Sequence, residues 1–343
     1  MQKSKTSTAL ESAPKLKLFC RGPGIGEALV LQLPCGGWGV IDCYDKAGGT
    51  GTLELLQDNG VSRLKFLCLT HPHEDHYFGM HRLVSAFTGK IERVWRFPGF
   101  TSVDLCKLPL AAKVRAKFKG DPEAKELADD YVLLLKALAE TKTGLSEENY
   151  RQIIAPVPLI DEDNYSILAI GPTTSSLEDF QKRFAKIVIK DGPMLLSEEG
   201  GEMINSVSVA LHIKFGAANV YLLADSQGSE IAPDKSTTDY SLVKVAHHGS
   251  SNGLAADIIT KKIASTVKVD HGVVTPYVRS GLPRDSMVSL YQQACKTLVQ
   301  TNVQPSEASK KIVHGLMNAR TASKNGKWVG FEISNDGAVR QFE

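Results

Sequence analysis

Apolar residues in this chain fall in short runs set off by turn-forming clusters. Leu29 to Leu33, Gly39 to Cys43 and Leu64 to Leu69 are each compatible with a β-strand. Gly36-Gly37 predicts a hairpin between the first two. Leu53 to Gln57 reads as a short helix closed by Asn59-Gly60. Strand, helix and strand in that order predict an α/β architecture.

From about 101 to 150 the rhythm changes. Asp121-Pro122 is a helix start, and Leu127, Tyr131, Leu134, Leu135 and Leu138 recur at helical spacing, which predicts a helical insertion. A second helix is expected to open at Ser175 with Glu178 as its capping box, burying Leu177, Phe180, Phe184 and Ile187. Strands follow at Tyr165 to Ile170, Val207 to Phe215, Val220 to Ala224 and Leu242 to Ala246. A last hairpin, Trp328 to Ile333 and Ala338 to Phe342, turns at Asn335-Asp336-Gly337. Two strand-rich halves thus flank a helical middle, after a polar tail over residues 1–14. Residues 15–343 are expected to form one domain.

Of the 343 residues 42% are hydrophobic and 23% charged, which excludes disorder and coiled coil. Lys and Arg exceed Asp and Glu by only two, so nucleic acid would have to meet local basic patches. Two such clusters are Lys113, Arg115, Lys117 and Lys119, and Lys182, Arg183, Lys186 and Lys190, although solvated faces explain both as well. No apolar run is long enough for a membrane span and the start lacks a signal-peptide core, so a cytoplasmic protein without membrane contact is expected. The six cysteines include no CxxC pair and are read as reduced, buried residues.

The strongest chemical signal is Thr70-His71-Pro72-His73-Glu74-Asp75-His76, directly after an apolar run. Pro72 pushes His71 into an extended conformation, and side chains two apart in an extended segment share a side, so His71 and His73 can grip one metal. If a helix begins at Asp75, with Met80, Leu83, Val84 and Phe87 as its buried stripe, then Asp75 and His76 project elsewhere and can hold a second ion. Imidazole with carboxylate suits Zn²⁺ and also Mn²⁺ or Fe. Two such ions about 3.5 to 4 Å apart can share a hydroxide and clamp both oxygens of a phosphate displacement.

At this motif the sequence resembles the metallo-β-lactamase fold superfamily. That resemblance implies an αβ/βα four-layer sandwich, here with a helical insertion, and a metal site along one edge. Ile41-Asp42-Cys43 matches the strand end whose Asp orients the metal loop, and Leu222-Leu-Ala-Asp225 matches the strand ending in a bridging, catalytic Asp. Leu242-Val-Lys-Val-Ala-His247-His248-Gly249-Ser250 is similar to the HHGS loop of the hydrolase domain of ComEC-type DNA-uptake proteins and their stand-alone relatives. The implied ligands are His71, His73, Asp75, His76, Asp225 and His248 for two divalent ions, Zn²⁺ or Mn²⁺. His247 is then the candidate for substrate contact or proton transfer, and the roles of His247 and His248 can be exchanged. Ser251 is expected to cap a helix starting near Gly253, so that its N-terminus, Ser250 and Asn252 cradle a phosphate.

Two positions depart from the family pattern. Where most members supply another His before the bridging Asp, this chain has Glu202-Met-Ile-Asn205-Ser-Val-Ser208, so Asn205, Ser208 or a water takes that place. His212 is read as a strand-face residue. Where ComEC-like domains carry His-Pro near the end, Leu282-Pro283 stands here, with Arg279 or Arg284 available to stabilise developing charge. The reading is a metal-dependent phosphodiesterase, in first place a DNA nuclease using a metal-activated hydroxide. The resemblance to antiphage effectors adds a defence role and a protein partner encoded nearby, and leaves the oligomeric state open. The alternatives are a small-molecule hydrolase acting on a cyclic nucleotide, phosphoester, lactone or thioester, and a non-catalytic binding partner that keeps a metal for structure.

Overall fold

The computed structural model describes residues 13–21, 26–45, 51–99, 122–190, 198–227, 231, 239–254, 258–301 and 328–342. One sheet is built in the order β15-β14-β1-β2-β3-β4-β5-β6. Its strands are β1 (Leu16–Arg21), β2 (Leu29–Gln32), β3 (Trp38–Ile41), β4 (Phe66–Leu69), β5 (Val94–Arg96), β6 (Tyr150–Gln152), β14 (Trp328–Ile333) and β15 (Val339–Phe342). The other runs β13-β12-β11-β10-β9-β8-β7. It consists of β7 (Val157–Glu162), β8 (Tyr165–Gly171), β9 (Ala210–Phe215), β10 (Ala218–Leu222), β11 (Leu242–Lys244), β12 (Val269–Val274) and β13 (Cys295–Gln300).

Each sheet changes character part-way. Antiparallel pairing holds from β15 to β3, and β3 to β6 are parallel. Likewise β7 to β10 are antiparallel and β10 to β13 parallel. Parallel strands covered on both faces read as continuous apolar runs, which is why β3, β4 and β5 are buried at every position. In β10 and β11 the period of two sorts the faces. Val220, Leu222 and Leu242 join the core between the sheets, whereas Tyr221 and Val243 join a second cluster with Met287 and Tyr291. These last two lie on an outer helix, α9 (Asp285–Ala294), which packs beside α8 (Ile258–Ile263).

Helices α1 (Gly51–Asp58), α3 (Met80–Ala86) and α4 (Pro122–Lys142) bring Leu56, Leu83, Val84 and Leu134 to the main core. The result is two sheets flanked by helices, the αβ/βα sandwich expected from the sequence. The boundary between the sheets lies after β6, so the helical insertion returns the chain to the first sheet instead of dividing the halves. Residues 1–12 and 101–121, with Lys113, Arg115, Lys117 and Lys119, lie outside the described residues.

Several local expectations are corrected. The helix expected from Asp75 is two pieces, α2 (Glu74–Tyr77) and α3, because Gly79 adopts φ +86° between them. Helix α5 (Thr174–Lys190) is capped by the Thr173 hydroxyl, which accepts from the Ser176 N–H (3.2 Å), not by Ser175 with Glu178. Strand β9 begins at Ala210 because Asn205 to Val207 end a helix, α6 (Glu198–Asn205), and its following turn. Cys35 is exposed in the hairpin turn, while Cys20, Cys43, Cys68 and Cys295 are buried and free. Among the described residues no helix is long and apolar enough to cross a membrane.

Candidate metal centre

Register brings the chemistry of the two sheets to one edge. In the first sheet Ile41 pairs with Cys68, so Asp42 follows one residue past β3 and His71 three past Cys68. In the second, Leu222 pairs with Lys244, so Asp225 and His247 each follow three residues later. Both constellations leave the carboxyl ends of parallel strands where the pairing changes sense, the place where open α/β sheets form their crevices. The two sheets are stitched there by the Val209 N–H donating to the Thr70 carbonyl (3.0 Å), and between connections within the first sheet the Glu27 N–H donates to the Asp75 carbonyl (2.8 Å).

The backbone is strained at the same edge. Among the described residues, the non-glycine residues with positive φ are Asp42 (57°), Ala224 (46°), His247 (49°) and His248 (51°). The left-handed region costs an L-residue about 1–2 kcal/mol, a cost that concentrates at functional sites. Hydrogen bonds hold the His247–Gly249 turn: the His247 N–H donates to the Ala224 carbonyl (2.8 Å) and the Ser250 N–H to the His247 carbonyl (2.7 Å). Gly249, at φ +77°, has no room for a Cβ, which would meet Pro283 at 2.8 Å.

Asp42 sets two of the imidazoles. It is fully buried, its Oδ1 accepts the Thr70 N–H (2.8 Å), and its Oδ2 accepts both the Thr70 hydroxyl (2.6 Å) and His76 Nδ1–H (2.7 Å). With its one proton given to Asp42, the Thr70 hydroxyl can only accept from His71 Nδ1 (3.0 Å). His248 Nδ1–H donates to the Thr275 carbonyl (2.8 Å). In each of the three rings Nδ1 is thereby engaged and Nε2 points into the site, the arrangement that fixes the tautomer of a ligating histidine.

The Asp225 carboxylate stands between two groups. Its Oδ1 is 3.4 Å from His76 Nε2 and 3.7 Å from His248 Nε2, and Asp75 Oδ2 lies 2.9 Å from His248 Nε2 and 3.7 Å from His76 Nε2. Its Oδ2 is 3.6 Å from His71 Nε2 and 3.7 Å from His247 Nε2, while His73 Nδ1 is 3.1 Å from His71 Nε2. Ligands bound tetrahedrally at about 2.1 Å stand roughly 3.4 Å apart, so these spacings fit a cation within each group. Among the described residues His76 Nε2, His248 Nε2 and Asp225 Oδ1 are buried without a hydrogen bond, the 2.9 Å approach of Asp75 to His248 being an ion-pair contact, and such a set fits a cation. Two ligand sets could each hold a metal: Glu27, His76, Asp225 and His248, and His71, His73 and Asp225.

Electrostatics separates the two groups. Burial, reinforced by His76, drives His71 well below the ordinary imidazole range, and burial also lowers His73 and His247. Around His76 the Asp225, Asp75 and Asp42 carboxylates overcome burial and raise its pKa well above that range. Against the same burial penalty Asp225 and Asp75 raise His248. Asp75 is held at about 2, burial opposing and His76 prevailing.

The remaining residues singled out from the sequence have the following surroundings. Asn205 Nδ2 is 3.4 Å from His247 Nε2, and the Ser208 hydroxyl is buried without a partner. The Ser250 hydroxyl accepts the Asn252 N–H (3.4 Å), so Ser250, not Ser251, caps the short helix α7 (Ser251–Leu254). Asn252 Nδ2 donates to Glu202 (3.2 Å). Arg279 is paired with Glu74 across the mouth, whereas Arg284 stands exposed at the start of α9 without a side-chain cap bond. His212 stacks on Tyr221 in the sheet and bonds Asn219 (3.0 Å), a strand-face role.

Sequence reasoning missed Glu27, Lys244 and Thr275. The Lys244 ammonium pairs with Glu27 and donates to the Ala224 carbonyl (3.3 Å), and the Thr275 hydroxyl donates to Glu27 Oε2 (2.7 Å). The available signal was a lysine inside the apolar run Leu242 to Ala246, since a buried charge requires a partner.

No protein-family model matches the sequence, and no curated protein matches it. Solved structures to which the chain is similar include metallo-β-lactamase fold proteins. A diphosphatase of the PhnP family shares 13% identity over 90% of this chain and 84% of its own, at a TM-score of 0.38. The short form of human tRNase Z shares 13% over 83% of this chain and 91% of its own (TM-score 0.39). The metallo-β-lactamase fold protein YhfI from Bacillus subtilis shares 13% over 83% and 95% (TM-score 0.40).

Proposed function

We propose that the chain is a metal-dependent phosphodiesterase of metallo-β-lactamase type, with DNA as the substrate to test first and a role in antiphage defence. The observation that carries this reading is the Asp225 carboxylate with one oxygen toward His76 and His248 and the other toward His71 and His247. Two divalent ions, Zn²⁺ or Mn²⁺, would supply there a water of lowered pKa and a clamp on the attacking and leaving oxygens of a phosphate. His71, His73 and Asp225 would hold one, and Asp75, His76, Asp225 and His248 the other. Asp42 keeps His76, and through Thr70 also His71, turned toward the ions. His247 is partly exposed beside Asp225 and is kept neutral by burial, so it can accept a proton on the substrate side. Ser250 and Asn252 follow His247 and His248 closely in the chain and are the candidates for phosphate contact.

A small-molecule ester is the second reading. It is favoured by Arg279 being neutralised by Glu74 and by Glu202 at the rim, which leaves that part of the mouth without net positive charge for a nucleic-acid backbone. The test is cleavage of linear, circular and single-stranded DNA with Mn²⁺ or Zn²⁺, beside Asp75→Ala. Metal-dependent cutting that disappears in the variant, with an unchanged circular dichroism spectrum, is the expected result. Equal cutting by both proteins would sink the assignment, and intact DNA with turnover of a small ester would select the second reading.

A further inference from the structure

We propose that Glu27 is an additional oxygen ligand of the ion on the Asp225 Oδ1 side, which makes that position carboxylate-rich and suited to Mn²⁺ while the imidazole-rich position takes Zn²⁺. The inference rests on the metal-dependent reading above, but it concerns which side chains hold the cation and not what is hydrolysed.

Glu27 sits between β1 and β2, far in sequence from every expected ligand, and is 0% exposed. Its N–H on the Asp75 carbonyl brings it against the metal loop. A ligand atom from each of Glu27, His76, Asp225 and His248 lies within 4.8 Å of all the others. Oε2 is occupied by the Lys244 ammonium and the Thr275 hydroxyl, whereas Oε1 is buried with no hydrogen-bond partner. Glu27 Oε1, His76 Nε2, His248 Nε2 and Asp225 Oδ1 are thus all buried without a hydrogen bond among the described residues, although His248 Nε2 lies 2.9 Å from Asp75 Oδ2 and Glu27 Oε2 3.9 Å from His248 Nδ1. Once the imidazoles are neutral, all four can only accept. A cation satisfies such a set.

Lys244 explains how a third carboxylate is tolerated. It follows Leu242 by two residues in β11 and therefore shares the face turned to the core between the sheets, where a lysine adds nothing to solubility. Asp75, Asp225 and Glu27 carry three negative charges, that of Asp225 shared with the other position, and Lys244 offsets one of them. The other position has His71 and His73 with only the shared carboxylate. Carboxylate oxygen favours Mn²⁺ and imidazole favours Zn²⁺, so the two positions differ in kind.

The experiment adds one equivalent of Zn²⁺ and then Mn²⁺ to metal-free full-length protein, following free Mn²⁺ by electron paramagnetic resonance. The unmodified chain is expected to take up one Mn²⁺ beside the Zn²⁺, and Glu27→Gln to weaken Mn²⁺ uptake about tenfold or more with Zn²⁺ retention unchanged. Because Glu27→Gln leaves Lys244 without its counter-charge, the double variant Glu27→Gln/Lys244→Met is measured alongside, with thermal melts of both. Mn²⁺ affinity unchanged in a folded variant overturns the proposal, as does Zn²⁺ filling both positions of the unmodified chain equally. Weakened Mn²⁺ binding in a chain that hydrolyses no ester would uphold it and overturn the functional reading instead.

Discussion

The two sides of the Asp225 carboxylate carry the same residue type in opposite electrostatic states. On the Oδ2 side burial outweighs the carboxylates in reach, Asp225 for all three rings and Asp75 also for His73 and His247, and the pKa values of His71, His73 and His247 fall. On the Oδ1 side His76 and His248 are fully buried, and Asp225 and Asp75 outweigh burial and raise their pKa values. Burial lowers every ring, so close carboxylate contact decides the sign: Asp42 Oδ2 lies 2.7 Å from His76 Nδ1 and Asp75 Oδ2 2.9 Å from His248 Nε2. One side is ready to receive a cation as it stands. On the other, the raised pKa values let protons compete with a cation for the same nitrogens.

The largest effect should come from removing the group that both sides share. Asp225→Asn keeps the shape but takes away the charge, so cation binding on both sides should weaken together. Hydrolysis should then fall roughly a thousandfold or more, since each tenfold is about 1.4 kcal/mol and clamping by two ions supplies several. Metal content by atomic emission is the direct check. One ion retained at full affinity would mean that Asp225 belongs to one side alone and that the bridge is wrong.

That comparison was only half legible in the sequence. His71, His73, Asp75 and His76 share one contiguous motif after a strand, and Asp225 and His248 match family strand ends, so their gathering at one edge follows from parallel strands ending together. Glu27 was not legible, because nothing in its local glycine-rich stretch signals that its partner is a lysine more than two hundred residues later. Pairings of this kind are set by tertiary packing and leave no periodicity. Helix ends failed for a related reason: Thr173 and Ser250 cap in place of neighbouring Ser175 and Ser251, since adjacent hydroxyls are equivalent in sequence and the chain's entry angle chooses between them.

A smaller effect, confined to one side, separates the two groups by pH. His76 and His248 have raised pKa values in the metal-free protein, so protons compete for the Oδ1 side at higher pH than for the Oδ2 side. His71 and His73 are depressed and stay unprotonated further into acid. Equilibrium dialysis at decreasing pH should therefore show the Oδ1-side cation leaving first. Calorimetry in buffers of different ionisation enthalpy should find proton release on filling that side and little on filling the other. Simultaneous loss of both ions would erase the distinction.

The smallest change tests whether the sides can be perturbed separately at all. Thr70→Val deletes the hydroxyl through which Asp42 orients His71, yet the direct contact of Asp42 with His76 remains. Valine is close to threonine in shape and β-propensity, so the strand end should persist, and the lost hydrogen bonds are what the measurement reads. Removing an orienting partner of a metal-binding histidine typically costs about ten- to a hundredfold in affinity. Because His71 keeps its packing, the low end, about tenfold, is expected for the Oδ2-side ion, with the Oδ1-side ion unaffected. Asp42→Asn gives the contrast, since it disturbs both rings and should weaken both ions. If Thr70→Val instead weakened the two equally, the hydroxyl would be supporting Asp42 more than His71, and the two sides would be coupled through that buried carboxylate as well as through Asp225.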